Sequence, residues 1–226
     1  MSVFTKFYEA PKFNKTEILR YAGTKEASEQ TSELLESCLN ECSGVFSYKV
    51  CFSEERLIIS DGTITAGSIK TDSKALLKNL DGCEKAVIFA ATVGIGIDRL
   101  IFKYSSVSPS RALMFQAIGA ERIESLCDMF SAEICEKYAA EGLYITARFS
   151  PGYGDFSVRA QKDFFKILDC PRKIGLSLND SFIMSPTKSV TAVIGISEKA
   201  QKKANPCENC TLDGCAYKNR KQGETK

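Results

Sequence analysis

Hydrophobic positions along the chain change period several times, and each change predicts an element. Residues 15–23 (KTEILRYAG) read as a short helix that Gly23 stops, because glycine takes the left-handed conformation that ends helices. Residues 24–42 place Ala27, Leu34, Leu35, Cys38, Leu39 and Cys42 at three- and four-residue spacing, the single buried stripe of a helix. Period two then takes over. Residues 45–53 alternate as a strand, and residues 56–69 form two arms broken by Asp61-Gly62, a hairpin signal. Residues 72–80 predict a short helix with Asp72 near its start, and the continuous apolar run 86–92 (AVIFAAT) predicts a strand buried on both faces.

Ser108-Pro109 opens the longest helical pattern, running to about Glu141, with Ser108 suited to the N-cap and Pro109 to the first helical position. A strand at 143–149, a turn at 150–155, a helix at 158–168 and a hairpin with arms at 174–178 and 190–197 complete the pattern. Strand-rich stretches mix with helices without a regular βαβ rhythm. This predicts an α+β domain, with a largely antiparallel twisted sheet and flanking helices, over residues 1–198.

Composition narrows the chemistry. The chain of 226 residues carries no histidine, which excludes every mechanism built on a histidine base and removes His from any metal site. The net charge of +2 is unremarkable and gives no sign of nucleic acid as a partner, but it is uneven. Residues 199–226 hold seven Lys or Arg against three acidic residues, so this basic tail carries +4 and the rest −2. The first residues lack the apolar core of an export signal, and no apolar run approaches the ~20 residues of a membrane helix. With ten cysteines, these features predict a cytoplasmic protein in a reducing compartment.

Two glycine-rich turns invite a ligand. Gly94-Ile-Gly96 is similar to a dinucleotide-binding turn, but Arg99 stands where the third glycine belongs, so the segment reads as the turn that opens a helix. The second is Arg148-Phe-Ser-Pro-Gly-Tyr-Gly-Asp155. Here a strand ends on an arginine able to grip a carboxylate through two parallel hydrogen bonds, and the chain turns through Pro151-Gly152 and Gly154. Gly152 lets a ligand approach the backbone, and Tyr153 offers a ring and a hydroxyl. The same residues suit an ordinary surface turn with a salt bridge, and chemistry alone does not choose.

Arg148-x-x-x-Gly152-Tyr153 resembles the motif that lines the S-adenosylmethionine site in the reactivation domain of cobalamin-dependent methionine synthase. Downstream, residues 174–186 (IGLSLNDSFIMSP) resemble the family's Ile-Gly-x-x-Leu-Thr-Glu-Ser-x-x-Met-x-Pro, and Ser189-Val190 the pair that opens its final strand. Upstream, residues 119–128 resemble the helix that gives the family's site a glutamate, which implies Glu124, or Glu121 if the register is one turn off. Residues 18–23 (ILRYAG) look like the start of stand-alone members. The family's acidic residue shortly before the arginine has no counterpart, since Leu143 stands there and Glu141 is the nearest carboxylate.

The resemblance implies an S-adenosylmethionine site built from Arg148, Pro151, Gly152, Tyr153 and Glu124. It implies support for reductive methylation of cobalamin supplied by a partner, a methionine synthase or related corrinoid protein. A flavodoxin- or ferredoxin-like electron donor goes with it. A docking module that keeps the pocket without methylation, and a redox carrier that works through a metal tail, are the competing readings. The tail holds Cys207-x-x-Cys210-x-x-x-x-Cys215, a metal-ligand pattern that suits an iron–sulfur cluster or, with a fourth thiolate such as Cys170, zinc.

Overall fold

The computed structural model describes residues 2–24 and 28–200. The chain runs β1 (Phe4–Tyr8), α1 (Lys15–Tyr21), α2 (Glu29–Glu41), β2 (Tyr48–Ser60), β3 (Thr63–Ala66), β4 (Ile69–Thr71), α3 (Lys74–Asn79), β5 (Cys83–Thr92), α4 (Gly96–Tyr104) and α5 (Pro109–Ala139). It continues with β6 (Tyr144–Ile145), a 3-10 turn (Val158–Ala160), α6 (Gln161–Leu168), α7 (Cys170–Ile174), β7 (Ser177–Leu178), β8 (Met184–Ser185) and β9 (Ser189–Ser197). Short polar side chains set the helix starts. Asn14, Ser28 and Ser73 each accept a hydrogen bond from the backbone N–H three residues on.

Among the described residues, the main sheet has the order β4-β3-β2-β5-β9-β6, and every pairing in it is antiparallel. One edge of the long strand β2 is shared, by β1 along Tyr48 to Phe52 and by β3 along Leu57 to Ser60. Helices cover both faces. Leu126, Phe130 and Ile134 of α5 pack with Val87, Phe89, Ala192 and Ile194 on one face, joined by Ile18 of α1 and Leu35 of α2. Phe164 and Leu168 of α6 pack with Ile88, Ala90 and Val193 on the other. The apolar run of β5 is therefore buried on both sides, as its lack of alternation predicts.

The α+β class with an antiparallel sheet stands, and three local expectations change. Residues 45–53 and 56–60 merge into the single strand β2, because Glu54 and Glu55 find partners in Lys137 and Ser53 and need not break it. The arms 174–178 and 190–197 do not pair with each other. β7 pairs with β8, while β9 pairs with β5 and β6. The strand at 143–149 shortens to β6 and one bridge from Phe149 to Val193. β1 was not foreseen. Asp61 and Gly62 both take positive φ (50° and 73°), the type I′ geometry their sequence calls for. Gly94 (φ 83°) turns the chain into α4 at Gly96, so that turn opens a helix.

Candidate functional site

The site begins where a ladder fails. Phe149 and Val193 exchange both backbone hydrogen bonds at 2.9 Å, so the backbone groups of Val193 face away from β5. Strand periodicity turns those of Thr191 the same way. Continuing the register would set Pro151 opposite Thr191, and proline has no N–H to give. The chain peels off through a tight turn instead. Gly152 N–H donates to Phe156 O at 2.7 Å and Tyr153 N–H to Ser150 O at 3.2 Å. The free edge of β9 becomes the floor of a cleft of about 550 Å³, lined by residues that include Glu124, Arg148, Phe149, Pro151, Tyr153, Gln161, Met184 and Thr191.

Gly152 takes φ 97°, a conformation for glycine, and the position of a β-carbon there is open space. Tyr153 projects from the same turn, 66% exposed, with its ring edge-on to Phe149 at 6.5 Å. Asp155 anchors the turn. Its carboxylate accepts from Ser73 Oγ at 2.5 Å and from the backbone N–H groups of Lys74 and Ala75 at 2.8 and 3.1 Å. The motif is thus fixed to the start of α3, while its Arg end reaches α5.

Arg148 donates through Nη2 to Glu124 Oε2 and through Nη1 to Asp128 Oδ1, both at 2.5 Å. Glu124 and Asp128 are one helical turn apart on α5 and face the same way. Burial works against the charged guanidinium, but the Asp128 hydrogen bond and the nearby Cys127, Glu124 and Asp128 outweigh it, and its pKa lies above the ordinary arginine value. The three side chains sum to −1, and two of the five guanidinium N–H groups are in use. Such a cluster can take a zwitterion, carboxylate on the arginine and ammonium on the acids. Tyr21, at the end of α1, lies close enough that Glu124 helps to raise its pKa, after burial as the larger cause.

Arg148, Pro151, Tyr153 and Glu124 thus line one cleft, and Gly152 belongs to the turn that carries Pro151 and Tyr153. Glu121 lies elsewhere, buried against Arg122. Sequence reasoning missed Asp128, whose four-residue spacing from Glu124 was the available signal. It also missed Gln161 and Thr191, which only the tertiary pairing brings in. Cys207, Cys210 and Cys215 lie outside the described residues. Cys170 is fully buried against Cys51 in the core on the α6 face. Among the described residues, no group of three or more Cys, Asp or Glu side chains could hold a metal, and no helix is long and apolar enough to cross a membrane.

An antiparallel sheet between two helical layers is an arrangement found in solved structures. The structure described as "Crystal Structure of the MetH Reactivation Domain bound to AdoHcy" matches with a TM-score of 0.64 and 12% identity, over 89% of this chain and 80% of that one. The two share a fold. No curated protein matches the chain. Residues 77–222, more than half of the chain, match the family described as "Vitamin B12 dependent methionine synthase, activation domain", and the chain belongs to that family.

Proposed function

We propose that the cleft binds S-adenosylmethionine and positions it for reductive methylation of the cobalamin of a methionine synthase or related corrinoid protein, with the chain acting in trans. The observation that carries this reading is the Arg148–Glu124–Asp128 cluster beside the Gly152-Tyr153 turn. Family membership and the AdoHcy bound to the structural neighbour support it. S-Adenosylmethionine supplies a methyl group activated by its sulfonium, and transfer to reduced cobalt leaves S-adenosylhomocysteine.

The protein's own part is positioning, worth several orders of magnitude when reacting groups are held in line. Arg148 holds the α-carboxylate through its remaining N–H groups, and Glu124 and Asp128 take the ammonium. Gly152 admits the ligand to the backbone, and Tyr153 closes the solvent side. A chain without histidine is suited to this task, because methyl transfer to a metal needs no general base. The electron comes from a flavodoxin- or ferredoxin-like donor, and the setting is cytoplasmic.

Anaerobic titration calorimetry with S-adenosylmethionine tests the reading. Arg148→Ala is expected to weaken binding by about 1.5–3 kcal/mol, the range for a hydrogen bond to a charged group, or roughly 10- to 150-fold. Absence of binding in folded wild type, or binding indifferent to Arg148, would refute it.

A further inference from the structure

Among the described residues, five side-chain polar atoms are buried without a hydrogen-bond partner: Tyr48 Oη, Arg111 Nε, Tyr138 Oη, Gln161 Oε1 and Thr191 Oγ1. Three sit beside charge. Tyr48 faces Arg122, Tyr138 faces Glu54, and the Arg111 guanidinium is engaged by Glu41 and Ser37. The remaining two have no such explanation, and both belong to residues that line the cleft. Gln161 is 7% exposed and Thr191 2%. Leaving a polar atom buried and unpaired costs about 1–3 kcal/mol, so two in one cleft mark a place where a ligand completes the bonding.

Their chemistry specifies the ligand group. Gln161 Oε1 is an acceptor, and the Thr191 hydroxyl both donates and accepts. The walls beside them, Phe149, Pro151 and Met184, are apolar and suit the faces of a flat ring. Of the parts of S-adenosylmethionine, the one with apolar faces, an amino donor on its edge and an acceptor beside it is adenine. A ribose, with hydroxyls around its rim, leaves such walls unmatched. We infer that Gln161 and Thr191 read the amino edge of adenine, Gln161 Oε1 accepting from the 6-amino group and Thr191 Oγ1 donating to ring nitrogen N1. This rests on the proposed binding of S-adenosylmethionine and adds a specificity pole that Arg148 does not supply. Gln161 opens α6 directly after the 3-10 turn, and Thr191 projects from β9 towards the same helical layer. The pole is therefore set on regular structure, whereas the amino-acid end joins two acids on α5 to an arginine outside any helix or strand.

The test compares S-adenosylhomocysteine with the same thioether carrying purine in place of adenine, titrated into the full-length protein. Wild type is expected to prefer the adenine compound by on the order of tenfold, the scale of one net hydrogen bond. Gln161→Leu should bring that ratio to about one. Thr191→Val should weaken both compounds by a similar factor and leave the ratio intact. The ratio within one variant does not depend on the fraction folded. Gln161→Glu, which keeps the acceptor oxygen, should retain it if the leucine variant does not fold. A wild-type ratio of one, a ratio that survives Gln161→Leu, or a Thr191→Val variant that binds both as wild type does would overturn the assignment. Failure of wild type to bind either compound would instead sink the S-adenosylmethionine reading, and this one with it.

Discussion

Asp155 ends the motif turn and holds it to the start of α3, with no direct part in the cleft. The Ser73 hydroxyl is the largest cause of its lowered pKa, followed by the backbone N–H groups of Ala75 and Lys74. A carboxyl whose pKa is depressed on folding adds stability that is fully present above its unfolded value of ~3.9. That stability is lost as pH falls through the folded value. Wild type should therefore melt at a higher temperature than Asp155→Asn at pH 7, with the gap closing below about pH 4. Equal gaps at pH 7 and pH 3 in thermal melts would mean that the charge is not the anchor. At this scale the sequence was informative wherever a residue's chemistry is local. Arg148 and Gly152 stood out because few other residues do what they do. The resemblance favoured Glu124, with Glu121 one turn away on the same helix as the fallback, and no local signal gave a physical reason for the choice. What separates them is Arg122, which takes Glu121 into the interior through Nε and Nη2, both at 2.5 Å, while Glu124 meets Arg148.

Elements were legible where their signals are short-range. The positive-φ turn at Asp61-Gly62 and the apolar run of β5 needed no partner to be recognised. Pairing was not legible. Ser189 Oγ donates to Thr92 Oγ1 at 2.8 Å across 97 residues of chain, and no local pattern encodes that. The arms at 174–178 and 190–197 both have strand composition, and proximity in sequence favoured pairing them. The αL cap at Gly175 (φ 71°) and the short β7–β8 ribbon send them apart. Close approaches between elements are equally hidden. A β-carbon on Gly96 would lie 2.3 Å from Val45 O and 2.9 Å from Val45 Cγ1, so α4 starts against the backbone that precedes β2. Since the obstruction is backbone, it cannot swing aside. Gly96→Ala should lower stability by about 1–3 kcal/mol, as overpacking does, despite alanine's better helix propensity. Chemical denaturation would measure it. A neutral or stabilising result would mean that this contact relaxes freely.

At the scale of the whole molecule, a buried ion pair helps to tie the N-terminal segment to the helix carrying the site. Arg122 is fully buried. It donates to Pro11 O at 2.5 Å and Lys12 O at 2.8 Å, lies over the Phe13 ring at 4.2 Å, and pairs with Glu121. Glu121 in turn accepts from Asn14 N–H, the residue that caps α1. Ile18 packs on α5, and Lys6 and Tyr8 meet Glu133 there. The segment between β1 and α1 is held to α5 through two adjacent residues, and α5 presents Glu124 and Asp128 one to two turns further on. Removing one partner of a buried pair leaves a charge without compensation, at a cost of about 3–5 kcal/mol, while replacing both with apolar residues is often near neutral. Arg122→Met should therefore destabilise by that amount, and Glu121→Leu combined with Arg122→Met should recover most of it in denaturant titrations. Ligand affinity separates the two roles of the pair. The double variant keeps the core filled but lacks the hydrogen bonds to residues 11, 12 and 14. If those bonds place α1, and with it Tyr21 beside Glu124, the double variant should be nearly as stable as wild type yet bind S-adenosylmethionine several-fold more weakly. Recovery of both stability and affinity would show that the pair fills the core and nothing more.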